Sequence, residues 1–312
     1  MYLLVDMNNL AHRVFHTPQG VLKTNQGVPT GVILGTLNAL RNMIQKFPET
    51  TNIIACWDGG RSEWRKEFYP EYKAQRSYGE KDTEKEKAYN ELWEQMETLH
   101  NILHMFGVHS VKIKGQEADD LIAVASKELE GDKMIISSDK DLLQLISNNT
   151  SVYTPHKDLV VGKSDFFSHT GVTQEAYLGY RALVGDPSDN IPGVQGIGEK
   201  TAKKLMDTYG HIDNILNATG DHKKALIKSA RTRKIFDHEN LNILARNNRI
   251  MSFKFTQDDI IIPLMAMQLE APAELDNVLI KEQLTKYQLA SILATYKTWI
   301  HPFNKLSAMI RL

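Results

Sequence analysis

The sequence predicts an α/β protein in which helices cover both faces of a parallel sheet. Three short apolar runs at 2–5, 52–57 and 133–138 are each followed directly by an aspartate, and helical patterns at 32–47 and 92–106 separate them. Short apolar strands that alternate with helices are typical of a parallel sheet buried on both faces. The chain has 312 residues, which is enough for one large domain or two ordinary ones.

The composition is that of an ordinary globular protein. Hydrophobic residues make up 42%, charged residues 24%, and the formal net charge is −1, so any affinity for nucleic acid must come from local charge segregation. The single cysteine, Cys56, lies in an apolar run and is predicted to be a core residue. No apolar run approaches the roughly 18 residues of a membrane span. We therefore expect no membrane partner, and the lack of a signal-peptide pattern favours a cytoplasmic protein.

Asp6, Asp58 and Asp139 are the aspartates that follow the three predicted strands. In open parallel sheets, ligands bind beyond the carboxyl ends of the strands, so these three side chains are expected to point into one crevice. A single aspartate after a strand is usually a turn or helix cap. Three of them at equivalent positions favour a functional site over three separate caps.

Residues 115–120 read GQEADD and open the next predicted helix. Acidic residues in a first helical turn can serve only to cap the helix dipole, but three carboxylates in four residues exceed that need. If the helix has begun by Glu117, then Glu117 and Asp120 share a face. Asp119 does not share that face, so the spacing favours Glu117 and Asp120 for the site.

Three further carboxylates lie in turn-forming sequence. Asp141 closely follows the third strand and could cap the next helix, whereas Asp186 and Asp189 lie in GDPSDNIPG at 185–193. All nine carboxylates in one crevice would repel strongly without a compensating cation. Because no His or Cys accompanies them in these motifs, Mg²⁺ or Mn²⁺ is expected. Their number favours two ions, which in phosphodiester chemistry lie about 4 Å apart.

Two charged stretches are candidates for contact with nucleic acid. Residues 61–87 hold eight Lys or Arg against seven Asp or Glu, and place basic residues beside aromatics at 61–66 and 72–78. Such a mixture suits an unpaired strand, although a solvated segment is the alternative. Residues 200–234 hold nine Lys or Arg against three Asp. We interpret this second stretch as a contact to duplex backbone, the alternative being exposed basic helices.

A glycine-rich loop at 193–198 precedes a predicted helix at 199–209. Gly196 and Gly198 would let the backbone approach a partner closely, and the helix N-terminus suits a phosphate. The alternative is a plain turn between two domains. The remaining predictions concern secondary structure and are a hairpin of 151–154 with 159–161, a helix at 173–184, a strand at 259–265 and a C-terminal helix at 281–299.

Six motifs together resemble the 5′-nuclease family, which includes flap endonucleases and the 5′-exonuclease domain of bacterial polymerase I. They span about the first 210 residues in the family's order and are VDMNN at 5–9, WDG at 57–59, GQEADD at 115–120, SDKDL at 138–142, GDPSDNIPG at 185–193 and GIGEKTA at 196–202. The resemblance implies a PIN-like nuclease domain at 1–183 with an arch-like insertion at 61–90. It also implies a helix–three-turn–helix module at 184–255 that grips duplex, followed by a helical segment at 256–312.

The resemblance also implies a role for each acidic residue. Asp6, Asp58, Glu117, Asp119 and Asp120 resemble the family's first metal cluster, and Asp141, Asp186 and Asp189 resemble the second. Asp139 lies between the two clusters, and Asp139 and Asp141 are expected to take part in catalysis. By this resemblance Asp119 belongs to the site, contrary to the spacing argument.

The basic residues receive roles from the same resemblance. In YKAQR at 72–76, Lys73 and Arg76 resemble arch residues that contact the scissile phosphate and stabilise developing charge. Arg13 resembles a residue that touches the substrate strand. The nucleic-acid contacts expected in the module are Gly196, Gly198, Lys200, Lys203 and Lys204.

The resulting hypothesis is a monomeric 5′-nuclease that acts on branched or 5′-tailed DNA, and that could also remove RNA primers from RNA–DNA hybrids. The resemblance further implies a potassium ion at the glycine loop. Two alternatives stay open. One is a non-catalytic protein that binds branched DNA on the same fold, and the other is a PIN-type ribonuclease acting on single-stranded RNA.

Overall fold

The computed structural model describes residues 1–76, 83–253 and 275–309. Its centre is a six-stranded sheet with the order β3-β2-β1-β4-β5-β6, in which β1 to β5 pair in parallel and β6 pairs antiparallel to β5. The strands are β1 Tyr2–Asp6, β2 Asn52–Trp57, β3 His109–Lys112, β4 Lys133–Ile136, β5 Thr150–Thr154 and β6 Leu159–Val161. The predicted α/β class and the hairpin of 151–154 with 159–161 are confirmed.

Alternate residues of β1 pack into two different hydrophobic cores. Leu3 and Val5 lie in one core and Leu4 lies in the other, and all three are fully buried. Successive side chains of a strand point to opposite faces, so both faces of the sheet are covered, as predicted. The first core includes residues of α1 (Met7–Phe15) and α2 (Gly31–Lys46). Each fully buried aliphatic side chain contributes about 1.5–3 kcal/mol to this packing.

The connection between β2 and β3 includes residues 61–90, for which an arch-like insertion was predicted. It comprises α3 (Glu63–Phe68), a 3-10 turn at Ala74–Arg76 and α4 (Thr83–Ile102), while residues 77–82 lie outside the described chain. Helix α4 begins nine residues before the predicted start at 92. The helix α5 (Ala118–Glu128) follows β3 and covers the opposite face of the sheet.

Strand β3 has no counterpart among the sequence predictions. Of its four residues, Val111 is buried, His109 and Ser110 are half-buried and Lys112 is exposed. It lies at one edge of the sheet, so it lacks the continuous apolar run of a central strand. Strand β4 was predicted over 133–138 but ends at Ile136.

A second, mostly helical unit follows the sheet. It begins with two helices, α6 (Phe166–Thr170) and α7 (Gln174–Val184). A small hairpin follows, whose two-residue strands are β7 (Gly185–Asp186) and β8 (Ile191–Pro192). The remaining helices are α8 (Glu199–Tyr209), α9 (Ile212–Leu216), α10 (Gly220–Lys228), α11 (Ala230–Arg233) and α12 (His238–Ile250). Helix α8 has the predicted bounds. Helix α7 begins one residue after the predicted 173, because Thr173 is its N-cap.

The C-terminal residues form three helices where one was predicted over 281–299. They are α13 (Asn277–Lys286), α14 (Ala290–Ala294) and α15 (Tyr296–Met309). They pack on the helices that cover one face of the sheet, where Trp299 Nε1 donates to Asn38 Oδ1 at 2.7 Å. The strand predicted at 259–265 lies outside the described residues. In the described part of the chain, no helix has the length and apolarity needed to cross a bilayer.

Substitution of Gly59 tests how closely the loop after β2 packs against the chain that leaves β3. A Cβ at Gly59 would lie 1.7 Å from the carbonyl oxygen of Ile113, so Gly59→Ala must displace the backbone that leaves β3. We expect a loss of about 1–3 kcal/mol in the free energy of unfolding, measured by urea denaturation. Gly198→Ala is the control, because its Cβ meets nothing within 4 Å and its φ is −90°. Equal stability of the two variants would contradict this packing.

Candidate active site

A cavity of about 530 Å³ opens beyond the carboxyl ends of β1 and β2. Its acidic wall consists of Asp6, Asp58, Glu117, Asp119 and Asp139. Its other lining residues include the basic side chains Arg61, Lys73 and Arg76. The prediction that Asp6, Asp58 and Asp139 share one crevice is confirmed, although β4 ends at Ile136, three residues before Asp139.

Asp6 is both a helix cap and a member of the cavity wall. It ends β1, and its Oδ1 accepts a hydrogen bond from the N–H of Asn9 at 2.9 Å, which caps α1. Its Oδ2 accepts from Ser137 Oγ at 2.8 Å. Asp6 therefore caps a helix and lines the cavity at the same time.

Asp58 joins three elements at the floor of the cavity. Its N–H donates to Asn8 Oδ1 at 2.9 Å, and its own Oδ1 accepts from the N–H of Ala118 at 2.8 Å. These bonds fix the end of β2 against the start of α1 and α5. Asp139 is held in a comparable way, since its Oδ1 accepts from the N–H of Asp141 at 2.7 Å.

The spacing argument on GQEADD is wrong about which face reaches the cavity. Helix α5 begins at Ala118, and Glu117 is its N-cap in a capping box with Asp120. Asp119 then lies on the cavity wall, whereas Asp120 does not. The argument from i, i+3 spacing applied only to a helix that includes Glu117, and Glu117 has an extended backbone outside the helix. The resemblance, which included Asp119, is the better guide at this position.

Asp120 lies in a buried ion pair with Arg65 beside the cavity. Arg65 Nη1 and Nη2 donate to the two carboxylate oxygens of Asp120 at 2.6 and 2.7 Å, and its Nε donates to the carbonyl of Ile250 at 3.0 Å. Arg65 is 3% exposed and Asp120 is 2% exposed. The interpretation of 61–66 as a strand-binding segment is therefore wrong for Arg65, which is a buried link between α3, α5 and α12.

Lys73 and Arg76 face the acidic wall. Lys73 Nζ donates to Glu117 Oε1 at 3.0 Å and lies 3.7 Å from Asp189 Oδ2, while Arg76 Nη2 donates to Asp189 Oδ1 at 2.5 Å. Tyr72 OH donates to Glu117 Oε2 at 2.8 Å. Lys73 has a φ of 52°, a left-handed conformation that is strained for a lysine and is characteristic of functional sites.

Asp141 and Asp186 share one arginine at the entrance of the helical unit. Arg181 Nε donates to Asp141 Oδ1 at 2.7 Å, and its Nη2 donates to Asp186 Oδ2 at 2.6 Å. Asp186 also accepts from the N–H of Ser188 at 2.8 Å and so caps the turn before Asp189. The three residues of the predicted second cluster are thus near one another but are held by basic side chains.

The cavity wall carries carboxylates whose charge is poorly compensated. Burial, together with the charges of Asp58 and Asp139, raises the pKa of Asp6 despite its two hydrogen bonds. Burial and the charges of Asp139, Asp6 and Asp58 raise the pKa of Asp119 well above its usual range. Burial also raises the pKa of Asp58. These shifts mark carboxylates that lack a sufficient cationic partner.

Carboxylates with an arginine or lysine partner behave differently. Burial works to raise the pKa of Glu117, but Lys73 and Arg65 hold it below its ordinary value. Burial is likewise outweighed at Asp186, where Ser188 and Arg181 lower the pKa. Asp141 and Asp189 are exceptions, because burial raises the pKa of each despite its basic partner, that of Asp141 to about 7.

The donor set fits a hard divalent cation. Four wall residues, Asp6, Asp58, Asp119 and Asp139, make no ion pair with any described residue. Oxygen ligands with excess negative charge are the set that Mg²⁺ or Mn²⁺ prefers. Within 1–76, 83–253 and 275–309, no three acidic, His or Cys side chains are grouped closely enough to hold an ion as they stand. The metal assignments of the nine carboxylates therefore stay predictions.

The predicted nucleic-acid residues lie on two surfaces. Arg13 is half-buried on α1, and burial lowers its pKa. Gly196 has a φ of +83°, which only glycine adopts without strain, and Gly198 is the N-cap of α8. On α8, Lys200 and Lys204 are exposed, whereas Lys203 is half-buried with its Nζ 5.8 Å from the Tyr180 ring centre. Their roles in binding, and the potassium ion at the loop, remain predictions.

Several site residues were missed from the sequence. Arg181 and Arg65 neutralise predicted ligands, and Asn8, Asn9 and Ser137 position them through hydrogen bonds. Asn8 and Asn9 lie within the VDMNN motif, so their position was the available signal. Arg181 lies five residues before Asp186 on α7, and nothing in its local sequence distinguishes it from a solvated arginine.

The fold and the cavity together define a class of protein, a nuclease with a PIN-like domain and a helical unit beside it. Residues 1–175 match the family model described as "5'-3' exonuclease, N-terminal resolvase-like domain". Residues 172–261 match the family model described as "5'-3' exonuclease, C-terminal SAM fold". The chain belongs to the 5′-3′ exonuclease family and is a phosphodiester hydrolase of that family.

Individual relatives agree with this assignment. The chain is 34% identical over 223 residues to the 5′-3′ exonuclease of Bacillus subtilis, covering 69% of this chain and 72% of the relative. It is 31% identical over 249 residues to the 5′-3′ exonuclease of Buchnera aphidicola, covering 78% and 81%. It is also 32% identical over 230 residues to DNA polymerase I of Rhizobium leguminosarum, covering 71% of this chain but 22% of that protein.

Solved structures share the fold. The T5 5′-exonuclease with bound divalent zinc ions superposes with a TM-score of 0.70 at 22% identity, covering 88% of this chain and 99% of that one. Flap endonuclease-1 from Methanococcus jannaschii superposes with a TM-score of 0.56 at 14% identity, covering 99% and 92%. The predicted PIN-like domain with a helical unit is confirmed by these superpositions.

Proposed function

We propose that this protein hydrolyses a phosphodiester near the junction between a 5′ single strand and a DNA duplex, with two Mg²⁺ or Mn²⁺ ions. RNA at the 5′ end of an RNA–DNA hybrid is a second substrate of the same reaction. The observation that carries this proposal is the cavity in which unpaired carboxylates face Lys73 and Arg76. An anionic phosphodiester can lie between such walls only if cations screen the acidic side.

The ligands of the ions are proposed from the charge balance. Asp6, Asp58, Asp119 and Asp139 would hold the first ion, because they line the cavity or its floor and make no ion pair with any described residue. Asp141, Asp186 and Asp189 would help to hold the second after Arg181, Lys73 and Arg76 turn from them to the substrate. When bound, the ions supply an activated water and charge stabilisation for the leaving oxygen.

The basic side chains have a distinct part in the proposed reaction. Lys73 is buried enough that its pKa would fall, but Tyr72, Glu117 and Asp189 raise it, so Lys73 remains a cation. Lys73 and Arg76 would orient the scissile phosphate and stabilise its charge in the transition state. Their present carboxylate partners keep them at the cavity until substrate arrives.

In this proposal the helical unit binds the duplex part of the substrate. Gly196 and Gly198 leave the backbone before α8 open, since a Cβ at Gly198 would meet nothing within 4 Å. A phosphate would bind the free N–H groups at the start of α8, with Lys200 and Lys204 exposed on the same helix. We propose that the protein acts as a monomer, with any potassium ion bound to the backbone of this loop.

Cleavage of a 5′-labelled flap duplex tests the proposal. With Mg²⁺ we expect products that end within a few nucleotides of the junction, and with EDTA we expect none, because the acidic wall would repel the phosphate. Product length on a denaturing gel reads out the position of the cut. A flap that is bound but stays intact with both Mg²⁺ and Mn²⁺ would refute hydrolysis and favour a protein that only binds branched DNA.

A further inference from the structure

A second cavity, of about 180 Å³, lies between the nuclease domain and the start of the helical unit. It shares Asp139 with the active-site cavity and reaches the first turn of α8 through Glu199 and Lys203. We call it the basic pocket, because its basic lining residues besides Arg181 are Lys140, His156, Lys157, His169 and Lys203. Of its lining residues, only Asp139 and Lys203 are among the site residues predicted from the sequence.

The lysines of the basic pocket have no acidic partner. Lys140, Lys157 and Lys203 make no ion pair with any described residue, although Lys140 and Lys157 are exposed and free to find one. Lys203 instead packs its ammonium against Tyr180 and next to Gly171. The carboxylates that line the pocket, Asp139 and Glu199, are outnumbered by its three lysines. Such an excess of basic side chains creates a local positive potential that attracts an anion.

Hydrogen-bonding groups complete the lining of the pocket. Ser138 Oγ lies 3.0 Å from His156 Nδ1, and Tyr177 OH donates to the carbonyl of Lys140 at 2.9 Å. The first contact holds the ring of His156, and the second fixes the backbone that carries Lys140. The pocket therefore combines a positioned polar wall with unpaired cations, which is the chemistry of a phosphate site.

We propose that the basic pocket binds one backbone phosphate of the substrate strand, between the scissile phosphate and the duplex held by α8. The proposal rests on the proposed function, because it takes the active-site cavity as the place of the cut. Asp139 is the wall common to both cavities, so a strand that leaves the acidic wall toward α8 must cross the pocket. Holding that phosphate would fix how far the strand advances, and hence the position of the cut.

The first test compares two double variants that remove the same charge. Lys140→Ala with Lys157→Ala removes the two exposed lysines of the pocket. Lys127→Ala with Lys297→Ala is the control, since both are exposed and line neither cavity. Binding of a fluorescent flap duplex is measured in EDTA at several salt concentrations. We expect the pocket variant to flatten the slope of log Kd against log salt by about one to two units, and the control to leave it unchanged.

Single methylphosphonate linkages identify the phosphate. Placed one at a time on the duplex side of the cut, one neutral linkage should weaken wild-type binding about tenfold, as loss of one charged hydrogen bond does. The same linkage should cost the pocket variant less than threefold, because its contact is already absent. Equal penalties in both proteins at every linkage would overturn the proposal, and so would a pocket variant that keeps the wild-type salt slope.

The remaining arms separate the competing outcomes. If the pocket takes a terminal phosphate monoester, wild type will prefer a 5′-phosphorylated product duplex over a 5′-hydroxyl one, the pocket variant will lose that preference, and our assignment is wrong. If wild type binds the flap but does not cut it, the proposed function fails while the methylphosphonate comparison still decides the pocket. If wild type cuts and the pocket variant cuts at shifted positions, the register role is supported.

Discussion

Asp119→Asn is expected to lower the rate of flap cleavage by about 100-fold or more, without loss of fold stability. Asp119 lies on the cavity wall and makes no ion pair with a described residue, and burial together with three neighbouring aspartates raises its pKa. Asparagine keeps the shape but removes the charge that would attract a divalent ion. Loss of a metal ligand removes several kcal/mol of transition-state stabilisation, and each 1.4 kcal/mol corresponds to a tenfold change in rate.

The stability of the same variant gives a readout that does not depend on activity. A carboxyl whose pKa is higher in the folded than in the unfolded chain destabilises the fold at pH values above its ordinary pKa. The sign for Asp119 is therefore unfavourable at neutral pH without metal, and Asp119→Asn should have an equal or higher Tm in EDTA. Mg²⁺ should raise the Tm of wild type more than that of the variant, because an ion that binds the native state stabilises it.

Asp132→Asn is the matched control for Asp119→Asn. Asp132 is exposed in the turn before β4 and lines neither cavity. It should keep wild-type cleavage and the full rise of Tm with Mg²⁺. An Asp119→Asn variant that keeps both properties as well would remove Asp119 from the metal site and would leave the family's motif as its only support.

The strand-terminal aspartates were the part of the site that the sequence predicted best. A short apolar run followed by an aspartate is a local pattern, and parallel topology converts three such patterns into neighbours. Asp6 is the last residue of β1 and Asp58 follows β2, and these two strands pair directly with Cys56 opposite Asp6. That inference requires no knowledge of tertiary contacts, because parallel strands place their carboxyl ends at the same edge of the sheet.

The choice between Asp119 and Asp120 could not be made from spacing. Both are acidic residues in a first helical turn, and the spacing argument applies only if Glu117 is helical, which it is not. Helix ends are assigned with an uncertainty of one or two residues even from coordinates. The deciding feature is Arg65, which lies 55 residues from Asp120 in the chain. Its charge pattern in the sequence is that of a solvated arch residue, so the pairing was not visible.

Long-range packing also explains the other errors. β3 is a four-residue edge strand whose single buried side chain, Val111, gives no periodic signal. The C-terminal region was predicted as one helix, yet it bends at 287–289 and 295, so that three helices pack against the first core. These bends follow the surface that the helices cover, which only the folded nuclease domain defines.

Arg65→Ala is expected to destabilise the protein by about 3–5 kcal/mol, the usual result of removing one partner from a buried ion pair. Arg65 forms a bidentate pair with Asp120, lies 3.2 Å from Glu117 Oε2 and donates to the carbonyl of Ile250. Alanine would leave a buried carboxylate and a carbonyl without this donor. Urea denaturation monitored by circular dichroism would measure the loss as a lower midpoint at an unchanged slope.

Two further variants distinguish an ion pair from a simple loss of volume. Arg65→Lys retains the charge but cannot form two parallel hydrogen bonds, so its stability should lie between wild type and Arg65→Ala. Arg61→Ala, from the exposed start of the same segment, should change the free energy of unfolding by less than about 0.5 kcal/mol. A loss below about 1 kcal/mol for Arg65→Ala would contradict a buried pair.

The bond from Arg65 to Ile250 links this stability to the geometry of the site. Ile250 is the last residue of α12, so Arg65 ties the base of the arch and the start of α5 to the end of the helical unit. Breaking the tie should raise hydrogen exchange at the amides of α12 more than at those of β1. If Arg65→Ala loosens both elements equally, Arg65 supports the global fold alone. If α12 loosens first, one arginine sets the position of the helical unit against the acidic wall.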